Sequence, residues 1–385
     1  MASSINASTT AGVVTTADTS GVLNIQTAGV TAIAIDASQA VTFTNSANLP
    51  NTFGFKNRII NGAMVIDQRN AGASVTPING AYTLDRFWYN ATQASKATVQ
   101  QSSTAPAGFV NSLLVTSSSA YSIATGDVFG VVQRIEGNNV ADLGFGTASA
   151  STVTVSFWVR SSLTGAFGGS LYNNAANRSY PFSYTINSAN TWEQKTVTIA
   201  GDTTGTWLTN TGTGITLYFC LGTGSTYGGT ANAWTGSTKL GVTGQTSLVG
   251  TNGATFYITG VQLEKGATAT SFDYRPYGTE FMLCQRYYYR LQEGSFSRLG
   301  VVPQTTTTRE APMFFPVTMR AAPTVTLTGT SCFLFSTAVS SSGTGSAGYG
   351  ITVQGCFQGS TGHAAATPGD TTAFDSTLIQ ASAEL

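Results

Sequence analysis

The stretch TVTVSFWVR at residues 152–160 decides the fold class. Val153, Val155, Phe157 and Val159 fall on one face, and Thr154, Ser156, Trp158 and Arg160 on the other. Successive side chains of a strand point to opposite faces, so this alternation of apolar and polar residues marks a half-buried strand. The pattern continues outward. WEQKTVTI at 192–199, ITLYFC at 215–220 and TFYITGVQL at 255–263 read as further strands, separated by Gly, Asn, Ser and Thr turns. No helical stripe longer than two turns stands out between about 54 and 277. The expectation is an all-β chain built on a sandwich or barrel.

Composition narrows the function. Only 9% of the 385 residues are charged, against roughly 25% in an ordinary soluble domain. With 41% hydrophobic residues and no net charge, the chain lacks the profile of a disordered protein. Lys+Arg and Asp+Glu balance at 17 each, so no global field draws it to nucleic acid or an anionic membrane. His363 is the one histidine, set in the turn-rich TGHAAATPGD without a nucleophile elbow, and reads as an exposed loop residue. Cys220, Cys284, Cys332 and Cys356 form no closely spaced pair, so neither a metal site nor a cofactor is expected. Cys220 and Cys284 read as buried hydrophobes in strand-like runs, while Cys332 and Cys356 could meet across a hairpin. MASSINASTTAG has neither the basic start nor the apolar stretch of a signal peptide, and no window suits a membrane span. Folding in a cytoplasm, with reduced thiols, is expected.

Three zones follow from the changes in character along the chain. Residues 1–53 hold two carboxylates, Asp18 and Asp36, and no Lys or Arg. Their short β-like runs, VLNIQ at 22–26, VTAIAID at 30–36 and AVTFT at 40–44, are too short to enclose a core within one chain. They suit an arm in which neighbouring chains supply the missing faces, as in a trimeric shaft. Residues 54–278 form the main β-body. Residues 279–385 read as a smaller β-sandwich tip, opened by FMLCQRYYYRL at 281–291, read as strand, and carrying a Gly/Ser/Thr tract, SSSGTGSAGYG, at 340–350.

Two stretches carry a family resemblance. NRIINGAMVIDQRNAG at 57–72 with YTLDRFWY at 82–89, and GVQLEKGATATSFDYRPYGTEFMLCQRYYYR at 260–290, resemble the opening and close of a module of tailed-bacteriophage fibre and virion proteins. Between them, VSFWVRSS, TWEQKTVTI, ITLYFCLGTG and YITGVQLEKG resemble carbohydrate-binding modules of the galactose-binding-like jelly-roll type. The resemblance implies a homotrimeric virion fibre assembled in a host cytoplasm. Its N-terminal arm would dock on another virion protein of tail, collar or capsid, and its body would adhere to a host surface glycan or protein. Many such modules carry an Asp before the VQLEKG strand, where this chain has Thr259–Gly260, so no calcium site is carried over.

Sugar binding needs an aromatic face for the pyranose C–H groups beside polar donors and acceptors for the hydroxyls. Trp158 and Arg160 share the face of 152–160 opposite its Val/Phe side and form the first candidate pair. Trp158 reads first as core or intersubunit packing and second as a ligand platform, and in the first case the receptor site falls on the tip loops near 340–365. Tyr218, alternating against Leu217 and Phe219, is a second candidate platform, with Trp88 and Trp192 behind it. A fibre-borne glycan depolymerase needs two carboxylates about 5–10 Å apart. The acids of the middle region include no close pair on one strand face, and Asp85–Arg86 and Glu264–Lys265 read as salt bridges or turns. No enzyme is expected. A purely structural head-fibre, capsid-decoration or tail-collar part, without a receptor site, is the alternative. Tyr287, Tyr288 and Tyr289, between Arg286 and Arg290, are read as junction packing rather than a nucleic-acid surface.

Overall fold

The structure, a computed structural model, describes residues 22–27, 30–35, 41–43, 55–291, 299–303, 309–334, 339–342, 344–361 and 372–385. The chain divides into two units, Met1–Thr52 and Phe53–Leu385. In the first, β1 (Leu23–Thr27), β2 (Val30–Ile35) and β3 (Val41–Phe43) form one antiparallel sheet. These are the three runs read from the sequence. Leu23 pairs with Ile35 and Ile33 with Phe43, yet Leu23 remains 50% exposed within the single chain.

The second unit begins with a jelly-roll β-sandwich. Its chain order is β4 (Tyr82–Leu84), β5 (Phe87–Ala91), β6 (Ala97–Ser102), β7 (Ser112–Ser117), β8 (Val128–Glu136), β9 (Val153–Ser161), β10 (Gly165–Tyr172), β11 (Ser179–Ile186), β12 (Glu193–Ile199), β13 (Thr213–Thr223), the short parallel pair β14 (Gly228–Gly229) and β15 (Gly241–Val242), and β16 (Thr255–Lys265). One sheet runs β11-β10-β13-β8-β5-β4 and the other β12-β9-β16-β7-β6, so the chain crosses repeatedly between layers. Val153, Val155, Phe157 and Val159 are fully buried between the sheets, as their alternation requires. Phe157 meets Phe219 of the facing sheet edge-on, with ring centroids 5.0 Å apart.

Beyond the sandwich come α1 (Tyr277–Gln285), β17 (Tyr288–Leu291), β18 (Leu299–Pro303), β19 (Arg309–Phe314), β20 (Thr324–Leu334), β21 (Val339–Ser342), β22 (Thr344–Tyr349), β23 (Gly355–Thr361) and β24 (Thr372–Ser382). The strands join in one sheet ordered β21-β20-β24-β18-β19-β23-β22, with β17 also on β24. Met313, Phe315, Met319, Ile379 and Ala381 form its own small core.

Two sequence expectations are corrected here. FMLCQRYYYRL is not one strand, because its first half belongs to α1. Pro276, extended at φ −52° and ψ 141°, sets the chain for a helix start. Glu280 and Cys284, four residues apart, then share its buried side. Cys332 and Cys356 do not face one another. Cys332 lies opposite Ser341 and Phe374, and Cys356, free and buried, opposite Met313. His363 lies outside the described residues, as does part of the Gly/Ser/Thr tract.

The tyrosine run packs where the two β-systems meet. Tyr287 is fully buried, donates to Glu136 at 2.8 Å and carries the Arg86 guanidinium 3.5 Å from its ring centre. Arg286 pairs with the same carboxylate at 2.6 Å. The Asp85–Arg86 and Glu264–Lys265 neighbours stabilise the fold through other partners. Asp85 accepts from Gln68 and Arg86 pairs with Glu384, whereas Glu264 accepts from Thr270 and Lys265 lies near Asp142.

Candidate functional site

Because the odd-numbered residues of β9 fill the core, Trp158 and Arg160 must project from the outer face of the five-stranded sheet. Strand register then decides their neighbours. Arg160 lies opposite Tyr257 of β16, which lies opposite Leu114 of β7. Trp158 sits between Gln194 of β12 and Thr259 of β16. Trp192 immediately precedes β12, and its ring stands 6.1 Å from that of Tyr257 at 67°. The Arg160 guanidinium lies 5.2 Å from the Tyr257 ring centre, within cation–π range. Trp158, Arg160, Trp192 and Tyr257 are all half-buried, each keeping part of its surface open.

A bulge in β16 continues this band. Between Thr259 and Gln262 the ladder shifts register, and Gly260 adopts φ +60°. A Cβ there would stand 2.6 Å from the Phe109 ring and 3.1 Å from the Trp158 ring. The missing side chain is what lets the two rings close over bare backbone. Phe109 packs against Phe272 and Tyr274, with centroids 5.1 and 5.5 Å away. These rings, with Asp273, Arg275 and Glu280, line a cavity of about 300 Å³. The mostly buried Arg275–Glu280 pair closes at 3.1 Å, so aromatic rings and charged groups, the Asp273 carboxyl among them, line the same cavity.

The acids of the sheet are already engaged. Burial raises the Glu193 carboxyl, but donors from Lys195, Ser188 and Asn187 outweigh it and hold the group at about 2. Glu264 accepts from Thr270 and Gln262. Among the described residues no cluster of His, Cys, Asp and Glu could hold a metal ion, and no helix is long and apolar enough to cross a membrane. Asp127, Glu136 and Asp202 are likewise engaged by Tyr121, Arg286 and Arg178.

The structure brings Trp158 and Arg160 together and separates Tyr218 from them. Tyr218 belongs to β13 of the other sheet and is fully buried, packed with Trp88, Val132 and Leu240. Its hydroxyl donates to Asn90 at 2.9 Å. The alternation read from the sequence holds, but the outer face it turns toward is covered, so Tyr218 offers no platform. Trp88 is buried in the same cluster beneath Arg134. Trp192 does join the face. Sequence reasoning missed Tyr257, although it alternates outward in TFYITGVQL. It also missed Gly260, whose place inside a strand is itself a bulge signal.

Neither a protein-family model nor a curated protein sequence matches the chain. Solved structures resemble part of it. They include the enzymatically active domain of tailspike protein 4 from bacteriophage CBA120, at 12% identity and TM-score 0.30, over 55% of this chain and 22% of that one. A putative sugar binding protein from Bacteroides thetaiotaomicron is similar at 12% identity and TM-score 0.32, over 55% of this chain and all of that one. A family 11 carbohydrate-binding module from Clostridium thermocellum, solved with a mixed-linked tetrasaccharide, is similar at 10% identity and TM-score 0.26, over 51% of this chain and 96% of that one. These are likenesses of fold at most.

Proposed function

We propose that this chain is an adhesive fibre protein of a bacteriophage virion that binds host-surface glycan on the outer face of its five-stranded sheet. The observation that carries the reading is the grouping of Trp158, Tyr257 and Trp192 around Arg160, all half-buried on one sheet face. Aromatic rings on such a face stack against the C–H surface of a sugar, while Arg160 and Gln194 supply donors for its hydroxyls. Loss of glycan and host-cell binding in Trp158→Ala, with the fold retained, tests this reading. A chain that binds no glycan in any form would instead be a structural virion part.

Residues 1–53 are the docking arm in this reading, shared among the chains of a homotrimer. Its support is the absence of Lys and Arg there and the apolar surface left open at Val22 and Leu23. Short strands of this kind suit pairing with another protein's backbone rather than an ionic contact.

A further inference from the structure

We infer that the Trp158 face selects glycans bearing a carboxylate, such as a uronate or sialate residue, over neutral ones; this rests on the glycan-binding reading above. Every other arginine whose side chain is described donates to an oxygen atom. Arg58, Arg69, Arg86, Arg178, Arg275 and Arg286 reach carboxylates. Arg134, Arg290 and Arg320 reach backbone carbonyls. Arg160 is the exception among the described residues. Its guanidinium makes no hydrogen bond or ion pair and rests against the Tyr257 ring, and its Nε, like those of Arg58, Arg69, Arg86 and Arg275, is buried without a partner.

The buried Nε loses hydration without a replacement bond, while Nη1 and Nη2 stay open to solvent and to an incoming acceptor. In a chain with only 17 cationic side chains, a cation without an oxygen partner on an aromatic face is a notable departure. The acids that could neutralise it are turned elsewhere. Glu193 lies opposite Val159 on the core-facing side of β12 and is bonded to Lys195. Glu264 lies opposite Thr154, toward the far end of the strand pair, and is bonded to Thr270. The face therefore presents a single positive charge flanked by rings.

One planar guanidinium matches one carboxylate through two parallel N–H···O bonds, a stronger contact than it makes to sugar hydroxyls. A uronate or sialate presents that carboxylate beside an apolar ring surface. Stacking on Trp158 or Tyr257 and pairing with Arg160 can then occur on the same sugar unit. The ring face supplies affinity for sugars in general, and the charge discriminates among them.

The test uses the full-length chain and two matched probes, oligogalacturonate and the same oligomer after chemical reduction of its carboxyls, beside an array of sialylated and neutral glycans. Binding is measured for the wild-type chain and for Arg160→Gln, Arg160→Lys and Trp158→Ala. Bound glycans should be those that carry a carboxylate. Carboxyl reduction and Arg160→Gln should each weaken binding about ten- to a hundredfold, without adding to one another, and Arg160→Lys should recover part of the loss. The reduction arm alters only the ligand, so it stands even if a variant folds poorly. Equal affinity for acidic glycans and their neutral counterparts, with binding still abolished by Trp158→Ala, overturns this inference and leaves the glycan-binding reading in place. Binding to no glycan of either kind overturns both.

Discussion

Arg86 and Glu384 lie 298 residues apart in the chain and form a buried ion pair that ties the sandwich to the end of the C-terminal sheet. Arg86 is 1% exposed, and Glu384 also holds Arg69 at 2.8 Å. Removing one partner of such a pair strands the other charge in a dry interior. Glu384→Ala is therefore expected to destabilise the second unit by about 3–5 kcal/mol in denaturant unfolding. An effect below about 1 kcal/mol would mean that water reaches Arg86.

Asp85, next to that pair, gives a pH signature. Burial pushes its carboxyl up to about 6 from an ordinary value of 3.8, against the bonds it accepts from Gln68. A raised carboxyl binds its proton more tightly in the folded state. Its contribution is thus fully present below about pH 4 and is lost as pH rises through about 6. The loss is on the order of 3 kcal/mol. Asp85→Asn should flatten that stretch of the stability–pH curve, measured by thermal or denaturant melts between pH 4 and 7.

Gly260→Ala probes the aromatic band at its hinge point. At φ +60° an alanine is strained, and its Cβ would press into the Phe109 and Trp158 rings. The expected cost is about 1–3 kcal/mol of stability. Glycan affinity should also fall, because the Trp158 ring must move. An unchanged melting temperature would show that the bulge relaxes freely.

The arm is tested by truncation. A chain lacking residues 1–45 is expected to stay folded and soluble, since the second unit has its own cores. With the proposed homotrimer held by the arm, it should change from trimer to monomer by light scattering and, on the proposed docking role, fail to enter particles. A monomeric full-length chain would refute the trimer, and normal incorporation of the truncated chain would refute the docking assignment.

Much of this fold was legible because period-two alternation reports directly on strand faces. Val153 to Val159 and the three short runs of the arm lie in strands as read. Alternation does not reveal what covers the second face of a sheet. Tyr218 and Trp158 both point away from the core in sequence, yet one lies under Leu240 and Trp88 and the other stays partly open. The helix at Tyr277–Gln285 was hidden because Phe, Met, Leu and Cys side chains suit either a buried strand or a buried helix turn. The Arg86–Glu384 pair could not be foreseen, since no local pattern links residues so far apart.

The most direct test of the central claim is glycan and host-cell binding by Trp158→Ala, measured beside the wild-type chain with a thermal melt of each. A half-open platform ring contributes stacking to the ligand and less to the fold, so binding should be lost while the melting temperature stays within a few degrees. Undiminished binding, or a loss of about 3–5 kcal/mol of stability as for a core tryptophan, would contradict the account.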